Sequence, residues 1–207
     1  MQRAWRDDAD KLTFIVCRGA TQDTDGLEAD GPKNGGICLR DQDDAPVRMI
    51  GDMNLFLRVE YPDDDEDETE DGDGDARDTA QIIGEVELMI AEKKDQDRGF
   101  GRAALLAFLR YVLGREGEIA REFVAGDEAA RRAFGGKKDG LRFGALSVKI
   151  GQENERSLKL FEGLGFGRIG DRPSYFGEWE LRRTKWDLKS DELMVERYIE
   201  VSYTRKA

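Results

Sequence analysis

The chain has no histidine in its 207 residues. That absence removes Ser–His–Asp and Cys–His mechanisms and argues against a zinc enzyme, with no metal site expected. Cysteine is nearly as scarce. Cys17 and Cys38 lack metal-type spacing, so the sequence implies a reducing compartment and no disulfide framework. No window approaches the roughly 18 consecutive apolar residues of a membrane span, and no targeting signal opens the sequence. Clustered Lys and Arg are missing too, which argues against a general grip on nucleic acid. The expectation is a cytoplasmic or nuclear protein with no nucleic-acid or membrane partner. Its oligomeric state is not readable.

What abounds is acid. Asp and Glu number 45 against 33 Lys and Arg, a formal charge of −12. Residues 63–78 hold eleven of those acids and one Arg, so the surplus belongs to one segment and the remainder is near neutral. Like charge at that density forbids a packed core, and 60–81 reads as a disordered acidic loop. It falls between two strand-like runs, 47–59 and 82–91, which makes it a hairpin tip that tolerates insertion.

The remaining chain is organised around residues 82–113. Ile82 to Ala91 is rich in β-branched and apolar residues, with charge at alternate positions, and reads as a strand. Residues 102–113 are good helix formers stopped by Gly114. Between them lie Gln96, Asp97, Arg98, Gly99, Phe100 and Gly101. A glycine turn opening a helix leaves backbone N–H groups unpaired at the positive end of the helix dipole, which suits a phosphate. The run Gly99 to Ala104 also fits G-x-G-x-x-A, but a dinucleotide fold needs that turn directly after a strand, and four residues intervene.

Further on, Leu146 to Ile150 reads as a short strand, and Asn154 to Leu164 as a helix with Leu158, Phe161 and Leu164 at helical spacing before Gly165. These two segments resemble the paired motifs of the GNAT superfamily of acyl-CoA-dependent N-acetyltransferases. Gln96, Gly99 and Gly101 match Q/R-x-x-G-x-G/A. Asn154, Ser157, Phe161, Gly165 and Phe166 match N-x-x-S-x-x-x-[Y/F]-x-x-x-G-F. Stretches within 1–16, 48–58, 82–113 and 144–183 narrow the likeness to the eukaryotic N-acetyltransferase 9 subgroup.

The resemblance implies an α/β (α+β) GNAT fold: a mixed, mostly antiparallel sheet with helices on both faces. Its first strand and helix are missing here, since Gln2 to Lys11 corresponds to the family's second helix. It implies one domain over 1–183 with insertions at 18–47, 60–81 and 114–141, and a C-terminal extension over 184–207. Asp127 to Phe134 could form one short helix inside the last insertion. Leu193 to Tyr203 alternates and could add a helix or strand.

It also implies a reaction, with acetyl-CoA as co-substrate and an amine of a protein or peptide as acceptor. Backbone N–H groups from Arg98 through Gly99, Phe100, Gly101 and Arg102 to Ala103 would hold the pyrophosphate, with Arg98 and Arg102 as counter-charges. A backbone N–H near Met89 or Ile90 would steady the oxyanion where the 82–91 strand parts from the 145–150 strand. Asn154, with Ser157 and Phe161, would line the pantetheine arm. Without histidine the base must be a carboxylate. Glu85 and Glu87 share one face of a strand that is apolar on the other, and either could serve. Family members carry Tyr as general acid where this chain has Phe161, which cannot donate a proton. An acyl-CoA-binding or interaction module with weak or no catalysis is the alternative.

Overall fold

The computed structural model describes residues 8–18, 45–61, 80–137, 139–186, 198 and 200. Six strands form one sheet: β1 Lys11–Cys17, β2 Met49–Glu60, β3 Gln81–Ile90, β4 Phe143–Gly151, β5 Gly167–Arg168 and β6 Glu178–Arg183. Their order across the sheet is β1-β2-β3-β4-β6-β5. Only β3 and β4 run parallel, and every other pairing is antiparallel. Four helices are described: α1 Phe100–Gly114, α2 Glu116–Gly126, α3 Glu128–Phe134 and α4 Glu155–Glu162. This is the expected mixed sheet with its helical partners. None of the described helices is long and apolar enough to cross a membrane.

Alternation decides the two faces of the sheet. Residues paired across strands share a face, so Met53, Leu55 and Leu57 of β2 lie with Leu88, Val86 and Gly84 of β3. Leu146 and Val148 of β4 and Leu181 of β6 continue the same surface. These side chains share one core with Leu105, Phe108, Leu109, Val112 and Leu113 of α1, whose spacing makes one apolar stripe. Phe14 of β1 meets Phe108 and Tyr111 edge-on at 5.4 and 5.2 Å, fastening the outer strand to α1. Leu158 and Phe161 of α4 belong to that core as well.

The expected insertion at 114–141 is built into this core. Besides the short helix expected from Asp127, which is seen as α3 with Asp127 capping the Ala130 N–H at 2.8 Å, residues 116–126 form α2. Ile119, Ala120, Phe123 and Val124 are buried on it. Glu116, buried, accepts from the Phe143 N–H and from Arg142 Nη1, both at 2.7 Å, and so ties the start of α2 to the start of β4.

The helix expected over 2–11 lies mainly outside the described residues; Asp8 to Asp10 form a turn and Lys11 is already strand. Most of 18–47, the acidic run 63–78 and most of 184–207 also lie outside. Glu60 pairs with Gln81, so the acidic run does join the two ends of a hairpin.

Candidate active site

β3 and β4 pair in parallel from Ile82↔Phe143 only as far as Glu85↔Ser147. Beyond that point β3 stays with β2 up to Gly51↔Ile90, and β4 stays with β6 up to Gly151↔Glu178. The strands therefore diverge and present two unpaired backbone edges toward each other. Each arm leads into a helix, β3 into α1 through the Gln96–Gly101 turn and β4 into α4. The Ser147 hydroxyl sits at the apex, fully buried and without a hydrogen-bond partner among the described residues.

The turn has the form its glycines imply. Gly99 caps α1 in the left-handed region at φ 83°, and nothing lies within 4 Å of where a Cβ would be. Glycine is needed there for backbone conformation rather than for space. The Ala103 N–H donates to the Gly99 carbonyl at 3.0 Å, the first bond of the helix. Helix geometry leaves the N–H groups of Phe100, Gly101 and Arg102 without an intrahelical acceptor. The loop before them is anchored by Asp95, a buried carboxylate reached by Arg18 Nη2 at 2.5 and 2.6 Å and by Arg98 Nη1 at 3.6 Å. Gln96 Nε2 donates to the Ile90 carbonyl at 2.9 Å, and Arg98 lies over the Phe100 ring.

On the opposite arm, Asn154 Oδ1 accepts from the Ser157 N–H at 3.2 Å, an ordinary N-cap for α4. Phe161 is only 2% exposed and packs edge-on against Phe166 at 5.2 Å. Its helical spacing with Leu158 and Leu164 fits this packing in the core.

Glu85 and Glu87 lie, as their alternation required, on the sheet face opposite the helix-covered one. Their surroundings differ. Glu85 Oε2 accepts from Arg58 Nη1 at 3.1 Å and Lys149 Nζ at 3.0 Å. Arg58 also reaches Glu60, which pairs with Arg182, so Glu85 belongs to a charge network spanning four strands. Glu87 has no described ion-pair partner and sits two residues beyond the last β3–β4 pair. Its pKa is raised, first by partial burial, then by the Glu85 and Asp52 charges, with Lys149 opposing. Next to it, Asn54 donates to Asp52 Oδ2 at 2.8 Å and accepts from Thr13 Oγ1 at 2.8 Å. Met89 is 52% exposed on the same face, where β3 no longer meets β4.

The sequence reading missed Asp52, Asn54, Arg58 and Lys149. Alternation along β2 and β4 was the available signal, because it puts these residues on the carboxylates' face once the register is known. Among the described residues, no cluster of Cys, Asp and Glu could hold a metal.

No protein-family model matches the chain. The N-acetyltransferase 9-like protein of Schizosaccharomyces pombe is 35% identical over 192 residues, covering 89% of this chain and 76% of that protein. This chain belongs to the N-acetyltransferase 9-like family. The alpha/beta-tubulin-N-acetyltransferase 9 of Drosophila melanogaster is 32% identical over 80% of this chain. The chain spans only 55% of that relative's length. Among solved structures, NAA60 of Arabidopsis thaliana in complex with acetyl-CoA aligns with a TM-score of 0.40 and 11% identity, covering 68% of this chain and 70% of that one.

Proposed function

We propose that this chain moves an acetyl group from acetyl-CoA to an amine of a protein or peptide by direct attack, with Glu87 as the base. One observation carries the reading. Two strand edges open immediately past Glu85 and Ser147, beside a glycine-capped helix start and a carboxylate with raised pKa. Acetyl-CoA fits such a cleft. Free N–H groups at Phe100, Gly101 and Arg102 would receive its pyrophosphate, with Arg98 and Arg102 adding charge. The exposed backbone of β3 near Met89 and Ile90 would pair with its pantetheine arm, and Asn154 and Ser157 would flank it across the cleft. The acetyl thioester supplies the electrophile. The chain's own contribution is to orient it, hold back competing water and take a proton from the acceptor ammonium.

Glu87 suits that last task better than Glu85. An acceptor amine with pKa of about 8 to 10.5 arrives mostly protonated. The Glu87 carboxyl has a raised pKa and no described ion-pair partner, whereas Glu85 is already engaged by Arg58 and Lys149. The naming of relatives for tubulin acetylation favours a protein acceptor over a small amine. The test is a thermal-shift titration with acetyl-CoA and CoA, followed by thiol release over a panel of peptide and small-molecule amines.

A second reading is an acyl-CoA-binding protein with little catalysis. It is favoured by Phe161, a core residue without a phenol at the position of the family's proton donor. Binding of acetyl-CoA without transfer to any amine on the panel would select it.

A further inference from the structure

The face that carries Glu85 and Glu87 holds one more ionisable group at the fork. Ser147 pairs with Glu85, so Ser147 and, two residues on, Lys149 turn their side chains to that same face. Once the strands part, Glu87 and Lys149 are the next positions on it, one on each arm. Lys149 reaches back across the fork, with Nζ 3.0 Å from Glu85 Oε2. Arg58 and Arg182 each engage two or more carboxylates of the charge network, whereas Glu85 is the one described partner of the Lys149 ammonium. An ammonium has three N–H donors, so two remain for another acceptor. The Lys149 side chain is 47% exposed and open to one. Beside it the Ser147 hydroxyl, fully buried, also has no described partner. Unengaged donors thus stand together where β3 and β4 separate.

We infer that Lys149 is a catalytic residue whose ammonium stabilises the thiolate that leaves when the acetyl group is transferred. This rests on the acetyl-CoA reading and supplies what that reading lacks, since Phe161 cannot assist the leaving group. A cofactor with its pyrophosphate at Phe100 to Arg102 runs its arm back along the open edge of β3 and so brings its thioester toward the fork. There the acceptor nitrogen bonds to the acetyl carbon, the C–S bond breaks and its electron pair goes to sulfur. Glu87 takes one proton from the acceptor ammonium and returns it to water. Water takes a second proton as the amide forms, and the thiolate regains one from water on release. A thiol ionises at about 8.5 and a lysine ammonium at about 10.4, so Lys149 supplies charge here rather than a proton. A cation already in place where negative charge develops needs no reorganisation during the reaction. Glu85 gains a part as well, because its bond to Nζ holds that cation at the fork.

Turnover of acetyl-CoA with the fastest amine of the acceptor panel is measured for wild type, Lys149→Met, Lys149→Arg and the double variant Lys149→Met/Glu85→Gln, with acetyl-CoA affinity and melting temperature beside it. Lys149→Met is expected to lower kcat about 10²-fold and to leave acetyl-CoA affinity unchanged. Lys149→Arg keeps a cation and should recover part of the loss. The double variant restores the balance of charge and should stay as slow as Lys149→Met. Free CoA gives a second readout. Glu85 and Glu87 of β3, Glu178 and Glu180 of β6 and Arg58 of β2 share the face with Lys149, and they are the same in wild type and Lys149→Met. As pH rises through the thiol value of about 8.5, CoA should come to favour wild type over Lys149→Met, because the ammonium favours the thiolate. Acetyl-CoA has no thiol and should show no such divergence. Full turnover in Lys149→Met, or its recovery in the double variant, would mean that Lys149 only balances Glu85. CoA affinities that stay parallel across that pH range overturn the inference too, even for a chain that binds acetyl-CoA without transferring it. If wild type binds neither acetyl-CoA nor CoA, the acetyl-CoA reading has failed instead.

Discussion

Glu85 and Ser147 are the last residues that pair β3 with β4. Everything distinctive about the cleft follows from that stop. Before it the parallel strands share a ladder, with Gly84 fitted between Leu55 and Leu146, where an added Cβ would come within 2.9 Å of each. After it the strands follow different neighbours, and Glu87 stands at the opening without an ion-pair partner among the described residues. The charge network runs through Glu85 and ends there. The carboxylate left outside the network is the one with a raised pKa, and the one we propose as the base.

Glu87→Gln should therefore reduce turnover by about 10²–10⁴-fold, while acetyl-CoA affinity stays unchanged. Because the folded pKa of Glu87 is raised, the wild-type rate should climb with pH through that value, and the variant should lose this limb. Glu85→Gln should retain the limb but shift it to lower pH, since a like charge that raises the Glu87 pKa is gone and Lys149 is released toward it. The stability sign runs opposite to activity. A carboxyl with a raised folded pKa favours the fold below its unfolded value of 4.5, and this is lost as pH rises through the folded pKa. At neutral pH, Glu87→Gln should melt no lower than wild type. A lower melting temperature would recast Glu87 as a structural residue.

Gly99→Glu separates conformation from charge. Space is open at that position, so the folded protein should lose only the left-handed backbone penalty of about 1–2 kcal/mol. The new carboxylate would stand beside the free N–H groups of α1 and repel a pyrophosphate. Acetyl-CoA at a hundredfold excess over Kd should stabilise wild type by about 2.7 kcal/mol and leave this variant unshifted. An equal shift in both proteins would move the phosphate site elsewhere.

Most of the sheet was legible because its strands follow a period of two and its turns carry glycine. The Glu85/Glu87 face, the glycine turn and both motif helices could be read the same way. Phe161 could not be placed by its motif, since the same position serves cleft or core and only burial decides. The helix over 116–126 was obscured by Gly114, Gly117 and Gly126, which read as loop, while long-range packing of Ile119, Phe123 and Val124 overrides local propensity. The Arg156–Asp97 ion pair joins residues far apart in sequence, and no local pattern announces it.

Replacing residues 61–80 by Asn-Gly should leave folding and acetyl-CoA affinity intact. Glu60 and Gln81 already face each other across the β2–β3 ladder, and a two-residue Asn-Gly link matches the twist of such a hairpin. The variant loses the net charge of the acidic run, and its elution from an anion exchanger should move accordingly. Loss of cooperative unfolding would show that the removed segment supports the sheet.

Glu116→Ala should destabilise the protein by about 1–3 kcal/mol, because it leaves the buried Phe143 N–H without its acceptor and Arg142 without its partner. Glu116→Gln keeps one acceptor oxygen and should recover part of that loss. The readout is urea unfolding of the free protein. Equal midpoints for wild type and Glu116→Ala would mean that α2 is held by its apolar face alone.

The last prediction concerns the far end of α1, where Arg115 meets Glu200 beside Tyr198. Its guanidinium grips Glu200, with Nη1 to Oε1 at 2.9 Å, and lies over the Tyr111 ring at 4.5 Å. Tyr198 donates to the same carboxylate at 2.7 Å and helps line an apolar cavity with Phe14, Phe108 and Tyr111. The Arg115 and Tyr198 hydrogen bonds hold the Glu200 pKa down at about 2, and burial followed by the Glu200 bond pushes the Tyr198 phenol up to about 12. The signs are opposite. Glu200 supports docking above its unfolded value of 4.5, and that support fades as pH falls toward 2. Tyr198 supports docking below its ordinary value of 10, and that support is lost as pH rises through 12. Docking should thus hold across neutral pH and loosen at both extremes. Arg115→Ala should loosen it at every pH, seen as faster amide exchange around residue 198 and faster proteolysis after the last strand, with turnover unchanged. Identical exchange in wild type and Arg115→Ala would mean that the apolar contacts of Tyr198 hold the segment without the ion pair.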